Sequence, residues 1–320
     1  MSRQEHHFPP HTTRSRLVLE VASELAGTRD WPFPQVRVNF REPGTDTWKT
    51  CFFASDTPET IDEVARGEVQ IALINPVGPL GLAYRGTGPF KKPVPLRAVT
   101  VVPSPDQLGF AVADRTGLKS LEEIRDRRFP LRISFRRQLI HSVPFVVKYT
   151  LAELGFSLED IVSWGGKLIH DRTFNDVGNW TAGVKRGEVD AIFDEAINTW
   201  GDQVTPAGMR FLSLSEAHLQ KIEALGFRRA TISKERYPSL PGDVTTVDFS
   251  GWAVYTHANV PDHVITSFCK ALVARKDRIP WEEPGPLPLE RMCFDTPEGP
   301  LPVPLHPAAE RFWRERGYLK

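Results

Sequence analysis

The sequence predicts a two-lobed α/β fold in which each lobe is a mainly parallel sheet flanked by helices, with a cleft at the hinge. Three observations carry this expectation. A chain of 320 residues exceeds the usual extent of one compact core. Helix-like and strand-like segments alternate along most of its length, as sheets with crossover helices require. The joint Arg66-Gly-Glu-Val69 also returns as Arg186-Gly-Glu-Val189, 120 positions later, each time between a helix-like stretch and an apolar run. One helix–turn–strand unit is therefore expected in each lobe, with residues 1–109 and 252–320 forming the first lobe and 110–251 the second.

The elements follow in order. Leu17, Val18, Val21, Ala22 and Leu25 have helical spacing after a cap at Thr12 or Thr13, and Gly27 ends the helix. Residues 35–40 alternate polar and apolar as a half-buried strand, and Cys51 to Ala54 reads as a second one. Ser55-Asp-Thr-Pro-Glu opens a helix that ends at Arg66-Gly67. The near-continuous apolar run Val69 to Ile74 has the character of a strand covered on both faces, and it stops at Asn75-Pro76. Leu96 to Val102 and Leu108 to Ala113 are consecutive strands, the latter expected to cross between lobes, and Ser120 caps a helix. Leu131 to Ser134 is a strand, followed by a loop and a helix from Val143 to Leu154. After the second joint come a strand to Phe193, a strand at 211–214, a helix at 216–225, a returning strand from Gly251 and a helix at 262–275. A last helix begins at His306-Pro307.

Composition narrows the function classes. Lys+Arg and Asp+Glu both number 40, so the net charge is zero and no global basic field is available to hold nucleic acid. No apolar run approaches the roughly 20 residues that span a bilayer, so no membrane insertion is expected. Cys51, Cys269 and Cys293 lie far apart, and the histidines form no metal-binding spacing, so neither a metal nor another cofactor is implied. The first ten residues lack the apolar core of a secretory signal, which predicts a cytoplasmic protein. A start that omits a leader would make it periplasmic.

Four segments together resemble the TAXI-type solute receptors, the binding subunits of a class of TRAP transporters. They are Ala65 to Ala72, Arg85-Gly-Thr-Gly-Pro-Phe90 with Leu96-Arg97, Gly117 to Ile124, and Gly187 to Ile192; Pro304 to Phe312 is a fifth. The resemblance runs from about residue 55 to the end. It implies a type II periplasmic-binding-protein-like fold, a carboxylate-bearing solute and a TRAP-type membrane transporter as partner. Where such receptors carry a glycine- and serine-rich loop, this chain has Phe135-Arg-Arg-Gln-Leu-Ile-His-Ser142.

Ligands of open α/β sheets bind beyond the carboxyl ends of strands, where helix N-termini offer free N–H groups. That places two candidate regions. Ser55, Asp56 and Thr57 supply a hydroxyl and backbone amides to a ligand oxygen, or cap their helix. Arg136, Arg137, His141 and Ser142 lie between a strand and a long helix, and an Arg there takes a carboxylate through paired hydrogen bonds. Asn75 either donates to a ligand or ends its strand, while Asp194 and Glu195 pair with an arginine in the empty cleft or hold a ligand amine. Trp252, with Trp180, Trp200 and Tyr237, is a candidate for an aromatic cleft wall.

The leading expectation is a solute-binding protein for a small organic anion. Two alternatives are an enzyme on the same fold, decarboxylase- or hydrolase-like, with His141 as its general base, and a cytoplasmic ligand sensor.

Overall fold

The two Arg-Gly-Glu-Val joints fold alike. Gly67 and Gly187 have φ of 74° and 75°, in the left-handed region that a Cβ disfavours. At the first joint the N–H of Arg66 reaches the carbonyl of Asp62, that of Gly67 reaches Val64, and those of Glu68 and Val69 reach Glu63. At the second, Arg186 reaches Ala182, Gly187 reaches Val184, and Glu188 and Val189 reach Gly183. Each arginine then forks onto the glutamate two residues on, at 2.8 and 2.9 Å in the first joint and 2.9 and 2.7 Å in the second. The glycine turn closes the helix and aims the chain into its strand. Because the N–H groups of residues 68–69 are spent on the helix, the first strand starts at Ile71 rather than at Val69.

The computed structural model describes residues 13–26, 35–41, 49–55, 57–137, 141–172, 180–279, 281 and 287–320. Its elements begin with α1 (Thr13–Ala26), β1 (Val36–Arg41), β2 (Lys49–Ala54), α2 (Thr60–Ala65), β3 (Ile71–Ile74), α3 (Gly78–Arg85) and β4 (Leu96–Val102). Next come β5 (Gln107–Ala113), α4 (Leu121–Asp126), β6 (Arg132–Arg136), α5 (Ser142–Ala152), α6 (Leu158–Ser163) and β7 (Lys167–Arg172). They are followed by α7 (Trp180–Lys185), β8 (Ala191–Asp194), α8 (Ile197–Trp200), β9 (Met209–Phe211), α9 (Glu216–Leu225), β10 (Arg229–Ile232) and β11 (Val244–Asp248). The chain closes with β12 (Trp252–His257), α10 (Asp262–Arg275) and α11 (Pro307–Glu315).

The strands form two sheets, ordered β1-β2-β3-β12-β4 and β10-β11-β5-β8-β6-β7, with β9 on β5. This is a two-lobed α/β architecture, as the sequence predicts. The chain passes between the sheets at residues 103–106 and again at 249–251. The expected first crossing, Leu108 to Ala113, instead lies wholly within the second sheet. Parallel pairing holds for β2 with β3 and for β7, β6 and β8. The pairs made by β5 and β12 are antiparallel. Both of these strands start at a connection, whereas β3 and β8 run toward one, so the sheets are mixed rather than mainly parallel.

Each sheet is covered on both faces. In the first lobe, Ile61, Val64 and Leu80 pack with Tyr255 on one side, and Ile265, Phe312 and Trp313 pack with Val99 on the other. In the second, α5 buries Val143, Val146, Val147 and Leu151 against Ile133 and Phe193. Helix α1 forms where its spacing predicts, with Leu17 and Val18 each 63% exposed.

A seam also joins the lobes between α3 and the end of α9. A Cβ on Gly81 of α3 would stand 2.3 Å from the carbonyl oxygen of Gly226, so the two backbones touch as only glycine permits. Leu82 beside it packs into the second lobe's core. Arg85 donates to the carbonyls of Glu223 (2.5 Å) and Ala224 (3.5 Å), and the Thr87 hydroxyl donates to that of Leu225. The C-terminal carbonyls of α9, the negative end of its dipole, are thus capped by a cation from the other lobe.

The twin joints make a matched prediction. A Cβ on Gly67 or Gly187 would meet nothing within 4 Å, so alanine at either position costs only backbone strain. Gly67→Ala and Gly187→Ala should each lower unfolding free energy by roughly 1–2 kcal/mol, equally and additively, in urea denaturation.

Candidate functional site

The register of β6 against β8 assembles the site. Ile133 lies opposite Ala191 and Ser134 opposite Ile192, so the end of β6 arrives level with the end of β8. Arg136 therefore meets Asp194 and Glu195. Its Nε donates to Asp194 Oδ1 at 2.7 Å and its Nη2 donates to Glu195. Arg136, Asp194 and Glu195 are 4%, 2% and 7% exposed, so the three charges sit out of water. Asp194 Oδ1 also accepts the Glu195 N–H at 3.0 Å. Among the described residues, Arg136 Nη1 is buried without an acceptor.

The residue after the strand, Arg137, is exposed. The arginine pair therefore divides where the strand ends: Ile133 to Arg136 of β6 are all buried, and Arg137, just past the strand, is not. Of the two, Arg136 is thus the arginine that pairs with Asp194 and Glu195.

Helix α5 begins beside this cluster. His141 is its N-cap, and Nδ1 accepts the Val143 N–H at 3.2 Å, so that nitrogen carries no proton. Burial, and then the charge of Arg136, push the His141 pKa down to about 3. The ring is therefore neutral at physiological pH. With Nδ1 taken and basicity so reduced, His141 is poorly suited to act as a general base near neutrality.

Ser142 spans the lobes, its hydroxyl donating to the Asn75 carbonyl at 2.6 Å. Asn75 takes part through its backbone, at the end of β3. Ser55 and Thr57 are buried close by in sequence, their hydroxyl oxygens 2.9 Å apart, and the Thr57 N–H donates to Ser55 Oγ at 3.1 Å. Ser55 thus builds a local turn. It does not cap α2, which starts at Thr60 behind Glu59 and without a side-chain cap. Asp56 lies outside the described residues.

A cavity of about 350 Å³ opens between the start of α2 and the start of α5. Pro58, Glu59, Asp62, Pro89 and Phe90 line it from the first lobe, and His141, Pro144, Phe145 and Lys148 from the second. His141 is the member of the sequence-predicted set on its wall. Phe90, Phe145 and Lys148 were not foreseen, although the alternation of prolines and phenylalanines at 89–90 and 144–145 is a local signal of a rigid apolar wall.

The aromatic candidates are redistributed. Trp180 and Trp200 are each 1% exposed and meet edge to face at 6.2 Å inside the second lobe's core. Tyr237 is buried in the same cluster. Trp252 is half-buried at the start of β12, opposite Val102. The large rings other than Trp252 are core, because the second face of the second sheet needs their area to be covered.

Among the described residues, no group of three or more His, Cys, Asp or Glu side chains is arranged to hold a metal ion. Burial pushes the Cys269 and Cys293 thiols up to about 12, which leaves them inert. No helix among the described residues is long and apolar enough to cross a membrane.

A sequence model of the NMT1-like family matches residues 181–317, less than half of the chain. No curated protein matches the sequence. Among solved structures, the alkanesulfonate-binding protein SsuA from Xanthomonas axonopodis pv. citri is similar over 68% of this chain and 80% of its own, at 14% identity and a TM-score of 0.30. The glycine/betaine/L-proline-binding protein ProX from Borrelia burgdorferi is similar over 67% of this chain and 66% of its own, at 12% identity and a TM-score of 0.37. An ATP phosphoribosyl transferase complex from Thermotoga maritima is similar over 81% of this chain and 92% of the matched chain, at 10% identity and a TM-score of 0.37.

Two predictions follow from the buried charges. Arg136→Met strands two carboxylates and should lower unfolding free energy by roughly 3–5 kcal/mol, whereas Arg137→Gln should change it by less than roughly 0.5 kcal/mol, both measured in urea. His141, whose pKa falls from 6.5 unfolded to about 3 folded, contributes stability that is present above pH 6.5 and lost as pH falls toward 3. Its share approaches roughly 1.4 kcal/mol per pH unit in that window. His141→Asn keeps a cap acceptor and should remove that slope, read as the difference from wild type in melting temperature between pH 4 and pH 7.

Proposed function

We propose that this chain is a solute-binding protein whose two lobes close on a small, carboxylate-bearing organic molecule. The observation that carries the reading is the buried Arg136 guanidinium at the end of β6, with Nη1 lacking an acceptor among the described residues. A buried donor without a partner costs roughly 1–3 kcal/mol, which a ligand oxygen would recover. Arg136 lies close enough to His141 for its charge to act on the ring, and His141 lines the cavity between the lobes.

In this reading the first lobe comprises residues 1–109 and 252–320 and the second 110–251; the connection at 249–251 supports the second boundary, while β5 of the second sheet starts at Gln107, ahead of the first. The ordered matches to TAXI-type receptors, among them Ala65 to Ala72 and Gly187 to Ile192, support a TRAP-type membrane transporter as partner and work in the periplasm. The hydrogen-bonded position of His141 favours binding over catalysis.

The test is thermal stabilisation by succinate, benzoate and glutamate. At least one should raise the melting temperature of the wild type, by an amount equivalent to about 2.7 kcal/mol at a hundredfold excess over Kd. Arg136→Gln should abolish the rise. Indifference of the wild type to all three carboxylates at saturating concentration would count against the reading.

A further inference from the structure

Asp106 stands on the first connection, where three backbone N–H groups converge on its carboxylate. Gln107 and Ile197 donate to Oδ1 at 2.8 and 3.2 Å, and Ala196 donates to Oδ2 at 2.8 Å. Its main chain is bound to the second connection. The Asp106 carbonyl accepts from the Phe249 N–H (3.1 Å) and the Ser250 hydroxyl (2.9 Å), and the Asp106 N–H donates to Ser250 Oγ at 3.0 Å. One residue therefore touches both connections and the start of α8.

The α8 start directly follows Asp194 and Glu195, the two acids on Arg136. Ala196 there has φ of 58°, a left-handed conformation that costs a residue with a Cβ roughly 1–2 kcal/mol. The bonds from its own N–H and that of Ile197 to Asp106 hold it there. Trp200, four residues on, donates its indole N–H to the Glu195 carbonyl at 2.8 Å.

We propose that Asp106 is a positioning residue of the binding site, transmitting the arrangement of the two connections to the Asp194–Glu195 turn and so setting how Arg136 is presented to a solute. The last step rests on the solute-binding reading; the link from the connections to the turn does not. A carboxylate suits the role because its two oxygens accept all three N–H groups at once. Protonation converts one oxygen into a donor and opposes them.

Burial raises the Asp106 carboxyl to about 6, the three N–H bonds pull it back, and the Asp194 charge adds a smaller push upward. Among the described residues, the charged and titratable groups that interact with it are Asp194 at the end of β8, Asp248 at the end of β11 and Tyr237; Arg136 of β6 pairs with Asp194 and with Glu195 and acts on His141, and Arg228 acts on Asp248. The turn should therefore loosen as pH falls through about 6, and Trp200 reports it.

The experiment uses the full chain and near-ultraviolet circular dichroism between pH 5 and 8, with Trp200→Phe subtracted to isolate the Trp200 band. Wild type should show a Trp200 transition within about one unit of pH 6. Asp106→Asn should lose the transition, keep a cooperative melt, and bind the best of succinate, benzoate and glutamate at least about tenfold more weakly. Absence of the transition in wild type overturns the proposal, whether or not the variant folds. So does an Asp106→Asn protein with the wild-type transition and affinity. Loss of the transition in Asp106→Asn, with no carboxylate bound even by wild type, would sustain the link to the turn and sink the solute-binding reading instead.

Discussion

A guanidinium that is 4% exposed has to be paired where it lies, and much of the second lobe is arranged around that constraint. Removing a charge from water costs several kcal/mol even after the protein relaxes, unless a partner of opposite sign is held in good geometry. The partners here come from the neighbouring strand. They reach Arg136 because β6 and β8 run parallel in a register that brings their carboxyl ends to the same edge. That parallel run in turn needs a crossover that returns the chain to the same end of the sheet, and the glycine of the second joint makes the return. Charge pairing, register and turn are one dependency.

The connections add direction. β4 leaves the first sheet, β5 enters the second, and β11 and β12 retrace the path, so each sheet gains one strand, β12 in the first and β5 in the second, that opposes its parallel core. The ends of β3, β6 and β8 then face the connections. This is why Asn75, Arg136 and the Asp194–Glu195 pair gather there although they are far apart in sequence. Asp106 belongs to the same edge for the same reason, being the last residue before β5.

Local rules carried much of this reading. The repeated joint was legible because a left-handed glycine between an amphipathic helix and an apolar run has few other uses, and the hydrogen bonds at 66–69 and 186–189 agree donor for donor. Ser120 caps its helix as its spacing to Glu123 indicates. His141, Asp194 and Glu195 were legible as helix-start and strand-end residues, whereas Arg136, read as part of a loop after Ser134, is the last residue of β6. The choice between Arg136 and Arg137 was not legible, since it depends on where β6 ends, and either arginine satisfies the pattern. Ser55 looked like a cap because the sequence does not reveal that the backbone turns once more before α2. Trp180 and Trp200 looked equally suited to a cleft or a core, and only the stacking of α7 and α8 on the sheet decides it. Asp106 carried no motif. Its signal was a single acid in the proline-containing stretch Pro103-Ser-Pro-Asp106 between two apolar strands, and its partners lie 90 and 144 residues away.

The interactions that tie the lobes differ in kind, and the difference bears on how a cleft between them could respond to a solute. The seam at Gly81 and Gly226 is backbone against backbone, reinforced by Leu82 in the opposite core and by Arg85 on the α9 carbonyls, so parting it exposes apolar area and uncaps a helix. The bond from Ser142 to the Asn75 carbonyl buries little by comparison and is worth about 0.5–1.5 kcal/mol net. A charge-assisted hydrogen bond to a buried group is worth about 1.5–3 kcal/mol. A solute oxygen engaging Arg136 would therefore outweigh the Ser142–Asn75 bond while leaving the seam intact. Under the proposed solute-binding reading, the balance between empty and filled cleft would turn on the residues at the ends of β3, β6 and β8 rather than on the wider contact between α3 and α9.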